Sequence, residues 1–96
     1  MLRSIVTESV AAEVRRLGER YGVRNIRVFG SFARGDARPG SDVDLLVEFV
    51  GSQSGFDFAR FGDAVEELLG RKVDVVTEKS LPPLIRDRVL SQAVPL

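Results

Sequence analysis

Asn25-Ile26-Arg27-Val28-Phe29-Gly30-Ser31 and, ten residues on, Asp42-Val43-Asp44-Leu45-Leu46-Val47-Glu48-Phe49 decide how this chain folds. The first run is short, β-branched and aromatic, and it enters a loop rich in Gly, Asp and Pro, which predicts a strand over Asn25–Phe29 that stops at Gly30. In the second run Val43, Leu45, Val47 and Phe49 alternate onto one face of a strand, while Asp42, Asp44 and Glu48 take the other with Leu46 as that face's one apolar residue. The connection between the runs suits an antiparallel pair. Such a pair sets the end of the first strand, Gly30-Ser31, beside the start of the second, Asp42.

Outward from this pair the pattern turns helical. Leu2, Ile5, Val6, Val10, Val14, Leu17 and Tyr21 recur at three- and four-residue spacing, and Gly22 supplies a stop. Gly51-Ser52-Gln53-Ser54-Gly55 reads as a loop, after which Phe58, Phe61, Val65, Leu68 and Leu69 form a second apolar stripe ending at Gly70. Lys72–Val76 predicts a third strand. Pro82 and Pro83 open a last helix with Leu84, Ile85, Val89 and Leu90 as its expected apolar side, and Val94-Pro95-Leu96 closes the chain. The helix between the second and third strands has the length of a crossover, so these two are expected to be parallel neighbours. The order is helix, strand, short connection, strand, helix, strand, helix: an α/β (α+β) fold with a small mixed sheet, read as a single domain over residues 1–96.

Composition bounds the chemistry. The chain has 96 residues, 44% of them hydrophobic and 29% charged, with no Cys and no His, which suits one soluble globular domain. Without Cys or His there are no disulfides, thiolate nucleophiles or His bases, and a bound metal must take oxygen ligands, as Mg²⁺ or Mn²⁺ do. Fourteen basic and fourteen acidic residues cancel, so no overall field draws the chain to nucleic acid or an anionic membrane. The charge is nevertheless segregated: residues 1–41 carry eight Arg against four acids, 42–70 one Arg against seven acids, and 71–96 five bases against three acids. A basic segment abutting an acidic one can seat a polyanion with its counter-cation. No apolar run approaches a membrane span and the first residues lack a signal peptide's apolar core, so the chain reads as cytoplasmic.

A Gly-Ser pair after a strand or an Asp-x-Asp is unspecific alone; their juxtaposition carries the signal. Gly30 permits close approach of a ligand to the backbone, and Ser31 opens a short helical turn, Ser31-Phe32-Ala33-Arg34, whose N–H groups suit a phosphate. Asp42 and Asp44 leave the same face of a strand, and two such anions repel unless a cation lies between them. In the parallel register Asp44 and Asp74 each lie near the start of their strand and point to the same face, so Asp42, Asp44 and Asp74 form a triad beside the Gly-Ser turn. Three carboxylates and no His next to a phosphate-binding turn describe a site for metal-assisted phosphoryl or nucleotidyl transfer.

Gly30-Ser31-Phe32-Ala33-Arg34-Gly35 with Ser41-Asp42-Val43-Asp44-Leu45-Leu46-Val47 resembles the signature of the DNA polymerase beta-like nucleotidyltransferase superfamily. With Val73-Asp74-Val75-Val76 and the brevity of the chain, the resemblance narrows to the minimal nucleotidyltransferases and spans roughly residues 24–96. It implies a mixed sheet with helices packed on one face. It further implies that Asp42 and Asp44 bind two Mg²⁺ ions, that Asp74 completes the metal site and helps activate an acceptor hydroxyl, and that Gly30 and Ser31 hold ATP with Arg34 meeting a phosphate. Minimal members are commonly antitoxins paired with a HEPN-domain ribonuclease toxin, and some transfer AMP to a tyrosine of it. The expectation is therefore a protein adenylyltransferase in a hetero-oligomer with a HEPN-type toxin, with no direct nucleic acid and no membrane. The alternative is a non-catalytic antitoxin that neutralises its partner by contact.

Overall fold

The computed structural model describes residues 7–38, 40–50 and 55–96. Helix α1 spans Glu8–Tyr21, strand β1 Val23–Phe29, the short helix α2 Ser31–Arg34 and strand β2 Val43–Phe49. Helix α3 spans Gly55–Leu69, strand β3 Val73–Thr77, a 3₁₀ turn Glu78–Ser80, helix α4 Pro83–Gln92 and strand β4 Val94–Pro95. The strands form one mixed sheet in the order β3-β2-β1-β4. As the pattern predicts, β1 and β2 are antiparallel, with Phe29 opposite Asp44, and β2 and β3 are parallel, with Asp44 beside Asp74.

Thr7 caps α1 by accepting a hydrogen bond from the Val10 N–H, 3.3 Å, and Gly22 ends it in the left-handed conformation at φ 73°. The expected apolar positions Leu2, Ile5 and Val6 lie outside the described residues. Val10, Val14, Leu17 and Tyr21 pack with Phe61, Val65 and Leu69 of α3 against Val28, Val43, Leu45 and Val47 of the sheet. Val14, Phe61, Leu45 and Val47 are fully buried. Phe49 of β2 meets Phe58 of α3, ring centroids 5.3 Å apart. A hydrogen bond from the Val73 N–H to Glu66, 3.1 Å, ties α3 to the start of β3.

Three elements differ from the sequence expectation. Strand β1 begins at Val23 rather than Asn25: its register with β2 shifts between Arg24 and Arg27, Asn25 sits at φ 51°, and this bulge hides the buried Val23 behind polar neighbours. The tail Val94–Pro95 forms a strand on Arg27 and Val28 of β1, reinforced by the Leu96 N–H to Ile26 carbonyl bond of 3.0 Å. Two residues, one of them Pro, give no periodic signal, and the edge position is where Pro is tolerated. Helix α4 is only half as predicted. Val89 and Leu90 pack on Leu46, Val76 and Phe29 with Leu81, whereas Leu84 and Ile85 are exposed, Leu84 by 97%. The two longer helices thus share one face of the sheet, as expected, and α4 covers part of the other through Leu46. Among the described residues no helix is long and apolar enough to cross a membrane.

Candidate functional site

The face of the sheet that α4 covers only in part carries the acids. Strand β2 delivers Asp44 onto it because Val43 and Leu45 are buried on the opposite side, and β3 delivers Asp74 by the same alternation in matched register. Asp42 lies just before β2, whose entry is fixed by the bond from the Val43 N–H to the Lys72 carbonyl, 2.9 Å. Asp74 is exposed, and Asp42 and Asp44 are half-buried.

Gly30 meets Asp44 directly. Its backbone stands at φ 76° and ψ −148°, and a Cβ there would lie 2.3 Å from the Asp44 Oδ2. The positive φ favours glycine, and any larger residue would also have to turn the Asp44 carboxylate aside. Beyond it Ser31 opens α2, with Arg34 N–H bonded to the Gly30 carbonyl and the Gly35 and Asp36 N–H groups bonded to the Ser31 carbonyl, all at 3.0 Å. Phe32, fully buried, anchors this turn in the main core. Arg34 is exposed, pairs with Asp36 at 3.2 Å and acts on Asp44 as a neighbouring positive charge.

Burial, then the Asp74 and Asp42 carboxylates, push the Asp44 carboxyl above the usual range, and Arg34 opposes them. The structure thus brings Gly30, Arg34, Asp42 and Asp74 around Asp44. It does not close the carboxylates into a ready metal cage: among the described residues no group of three or more acidic side chains has converged far enough to hold an ion. The donor set nevertheless fits a hard divalent cation, since every ligand would be a carboxylate oxygen or water, and a cation would relieve the repulsion borne by Asp44.

One participant has no sequence signal. Arg71, in the loop between α3 and β3, donates from Nη1 to the Ser41 carbonyl at 3.4 Å and lays its guanidinium over the Phe32 ring, 5.3 Å from the centroid. Only the fold brings Arg71 to these two segments, which are distant from it in the chain.

A small mixed sheet with a glycine-serine turn at the end of β1 and carboxylates near the starts of the adjacent strands β2 and β3 defines a class, the nucleotidyltransferase-type domain. The chain belongs to the nucleotidyltransferase domain family, whose model matches residues 10–96. It is 43% identical over 93 residues to the protein adenylyltransferase MntA of Thermococcus cleftensis, covering 97% of this chain and 90% of that one. A solved structure of a proposed minimal nucleotidyltransferase is 44% identical and superposes with a TM-score of 0.85 over 99% of this chain and 95% of the other. Two more distant structures share the fold. One is a toxin–antitoxin with AMP-PNP, 20% identical, with a TM-score of 0.73 over 88% of this chain and 70% of the other. The second is a tri-AMPylated Shewanella oneidensis HEPN toxin in complex with MNT antitoxin, 16% identical, with a TM-score of 0.66 over 99% and 71%.

Proposed function

We propose that this protein is an antitoxin-type adenylyltransferase that moves AMP from ATP to a hydroxyl, that of a tyrosine, on a HEPN-type toxin, with which it forms a hetero-oligomer in the cytoplasm. One observation carries the reading: Asp44 lies against Gly30 of the Ser31 turn and beside Asp74, so a phosphate chain on the turn would have its reacting phosphorus next to carboxylates on two strands. The family, the relative named protein adenylyltransferase, and the AMP-PNP and AMPylated-toxin complexes that share the fold support it.

In this reading Gly30 and Ser31 seat the triphosphate, and Arg34 balances its charge. Asp42, Asp44 and Asp74 would hold two Mg²⁺ ions, whose contribution when bound is to polarise the α-phosphate and offset the charge on the attacking and leaving oxygens. Asp74, exposed at the edge strand, accepts the proton of the incoming hydroxyl. That oxygen bonds the α-phosphorus as the bond from the α-phosphorus to the bridging oxygen breaks, pyrophosphate departs, and a phosphodiester-linked AMP remains on the partner.

The test is intact mass. The protein, a HEPN-type partner, ATP and Mg²⁺ are mixed, and the partner is expected to gain one or more AMP units, with no gain for Asp74→Asn. Equal neutralisation of the partner by wild type and by the Asp42→Asn, Asp44→Asn double variant, with no mass change in either case, would establish the contact-only antitoxin instead.

A further inference from the structure

The proposed site is assembled from two segments, the Ser31–Arg34 turn and the approach to Asp42, and among the described residues no hydrogen bond joins one directly to the other. The Ser31–Arg34 turn is closed by its own hydrogen bonds, those of the Arg34, Gly35 and Asp36 N–H groups to the carbonyls of Gly30 and Ser31. The approach to β2 is closed locally as well, by the Ser41 N–H to the Arg38 carbonyl, 2.9 Å, and the Arg38 N–H to the Ser41 hydroxyl, 2.8 Å. Each set fixes the shape of its own segment, and their relative placement rests on the pairing of Phe29 with Asp44 between β1 and β2 and on contacts that cross between the segments.

Arg71 reaches both. Its guanidinium lies over Phe32, the buried second residue of the turn, while Nη1 donates to the carbonyl of Ser41, the residue before Asp42. A planar guanidinium can present its face to a ring and an N–H in its plane to a carbonyl at once, and the compact charge of an ammonium on a flexible stem does not reproduce that stacked fork. Its next residue, Lys72, accepts the Val43 N–H through its carbonyl, so the arm that carries Arg71 is itself joined to the entrance of β2.

We propose that Arg71 is a positioning residue that holds the phosphate-seating turn and the acidic entrance of β2 at a fixed separation. It touches neither ATP nor the acceptor, and it acts by setting where Asp42 stands relative to Ser31. The contribution to transfer rests on the adenylyltransferase reading above, whereas the tie itself does not, and the experiment separates them.

Arg71→Gln and Arg71→Lys are compared with wild type by amide hydrogen exchange and then by AMP transfer to the HEPN-type partner. Both variants are expected to remain folded in a thermal melt. Exchange at the Arg34, Gly35 and Ser41 amides is expected to rise about tenfold, with the Leu45 and Val47 amides of β2 unchanged, because the tied segments open locally while the sheet does not. In transfer, kcat is expected to fall about 10- to 100-fold, since a misplacement of about 1 Å can cost that much, while the KM for ATP changes by less than about threefold. Unchanged exchange at both segments would overturn the tie. So would full rescue by Arg71→Lys, which would make Arg71 a charge for the triphosphate, or a loss carried wholly by KM. Raised exchange at both segments in a protein whose wild type transfers no AMP would uphold the tie and remove the adenylyltransferase reading instead.

Discussion

Gly30→Ala tests the contact on which the site is built. The backbone at Gly30, φ 76° and ψ −148°, lies at the border of a region open almost only to glycine, so an alanine there stores about 1–3 kcal/mol of strain. Its Cβ would stand 2.3 Å from the Asp44 Oδ2, about 1 Å short of ordinary contact. Asp44 must then turn off its preferred rotamer, which adds about 0.5–1.5 kcal/mol. Together these predict a loss of about 1.5–4.5 kcal/mol, or roughly 6–36 °C in Tm for a domain of this size. The two contributions separate in a double-mutant cycle. With Asp44→Ala in place the nearest remaining atom of that side chain is its Cβ, 3.6 Å away, so Gly30→Ala costs only the backbone strain. Urea melts of the four proteins are expected to give a coupling of about 1 kcal/mol. A Gly30→Ala cost below about 0.5 kcal/mol would refute the backbone argument, and costs equal within about 0.3 kcal/mol in the two backgrounds would refute the contact with Asp44.

The same site supports further expectations. Asp44→Asn is expected to abolish transfer and leave the metal-free melt equal or higher, because it removes a half-buried charge crowded by Asp74 and Asp42; a variant that unfolds would assign Asp44 a structural role. The sign of the pH dependence follows from the raised carboxyl. The folded state binds this proton more tightly than the unfolded chain, so the contribution of Asp44 to stability falls as pH rises from the ordinary aspartate range through its raised pKa. Subtracting the Asp44→Asn curve from wild type, both recorded without metal, should isolate that slope, and the opposite sign would contradict the arrangement. Mg²⁺ with ATP is expected to stabilise the protein more than either alone, by about 2.7 kcal/mol at 100 times the dissociation constant, and a thermal melt with no shift for any nucleotide and metal would remove the nucleotide site. Leu46→Ala is expected to cost about 2–5 kcal/mol by opening the small core beneath α4, whereas Leu84→Ser, at a residue 97% exposed, should leave the urea midpoint nearly unchanged.

How much of this was legible depended on whether a residue's signal was local or arose from packing. The pairing of β1 with β2 and of β2 with β3 could be read because each strand has a buried face of period two, and a slip of one residue would have turned Asp44 into the core. The same alternation puts Asp44 and Asp74 on one face near the starts of parallel strands, and the structure pairs the two directly. The second face could not be read in the same way. Leu46 was visible as one apolar residue among acids, but its partners Leu81 and Val89 lie on the far side of β3 in the chain, and α4 offers an exposed Leu84 as apolar as its buried Val89. A periodicity argument counts both alike. Only the docking of α4, fixed by Leu81 and by the two-residue strand β4 that follows it, decides which of them is covered.

That distinction bears on the site as well as on the fold. Gly30, Ser31 and the three aspartates are found at fixed spacing on the strands or turns that carry them, so their neighbours are dictated by the backbone. Arg71 stands on a loop, and neither Phe32 nor Ser41 is near it in the chain, so no pattern of types or intervals distinguishes it from the exposed Lys72 beside it. The groups that do chemistry must face one point in space, and a regular backbone achieves that with a short interval such as Asp42 to Asp44. Setting two such units against each other requires a contact that crosses between elements. The second kind of residue is therefore where sequence reading stops and three-dimensional structure has to take over.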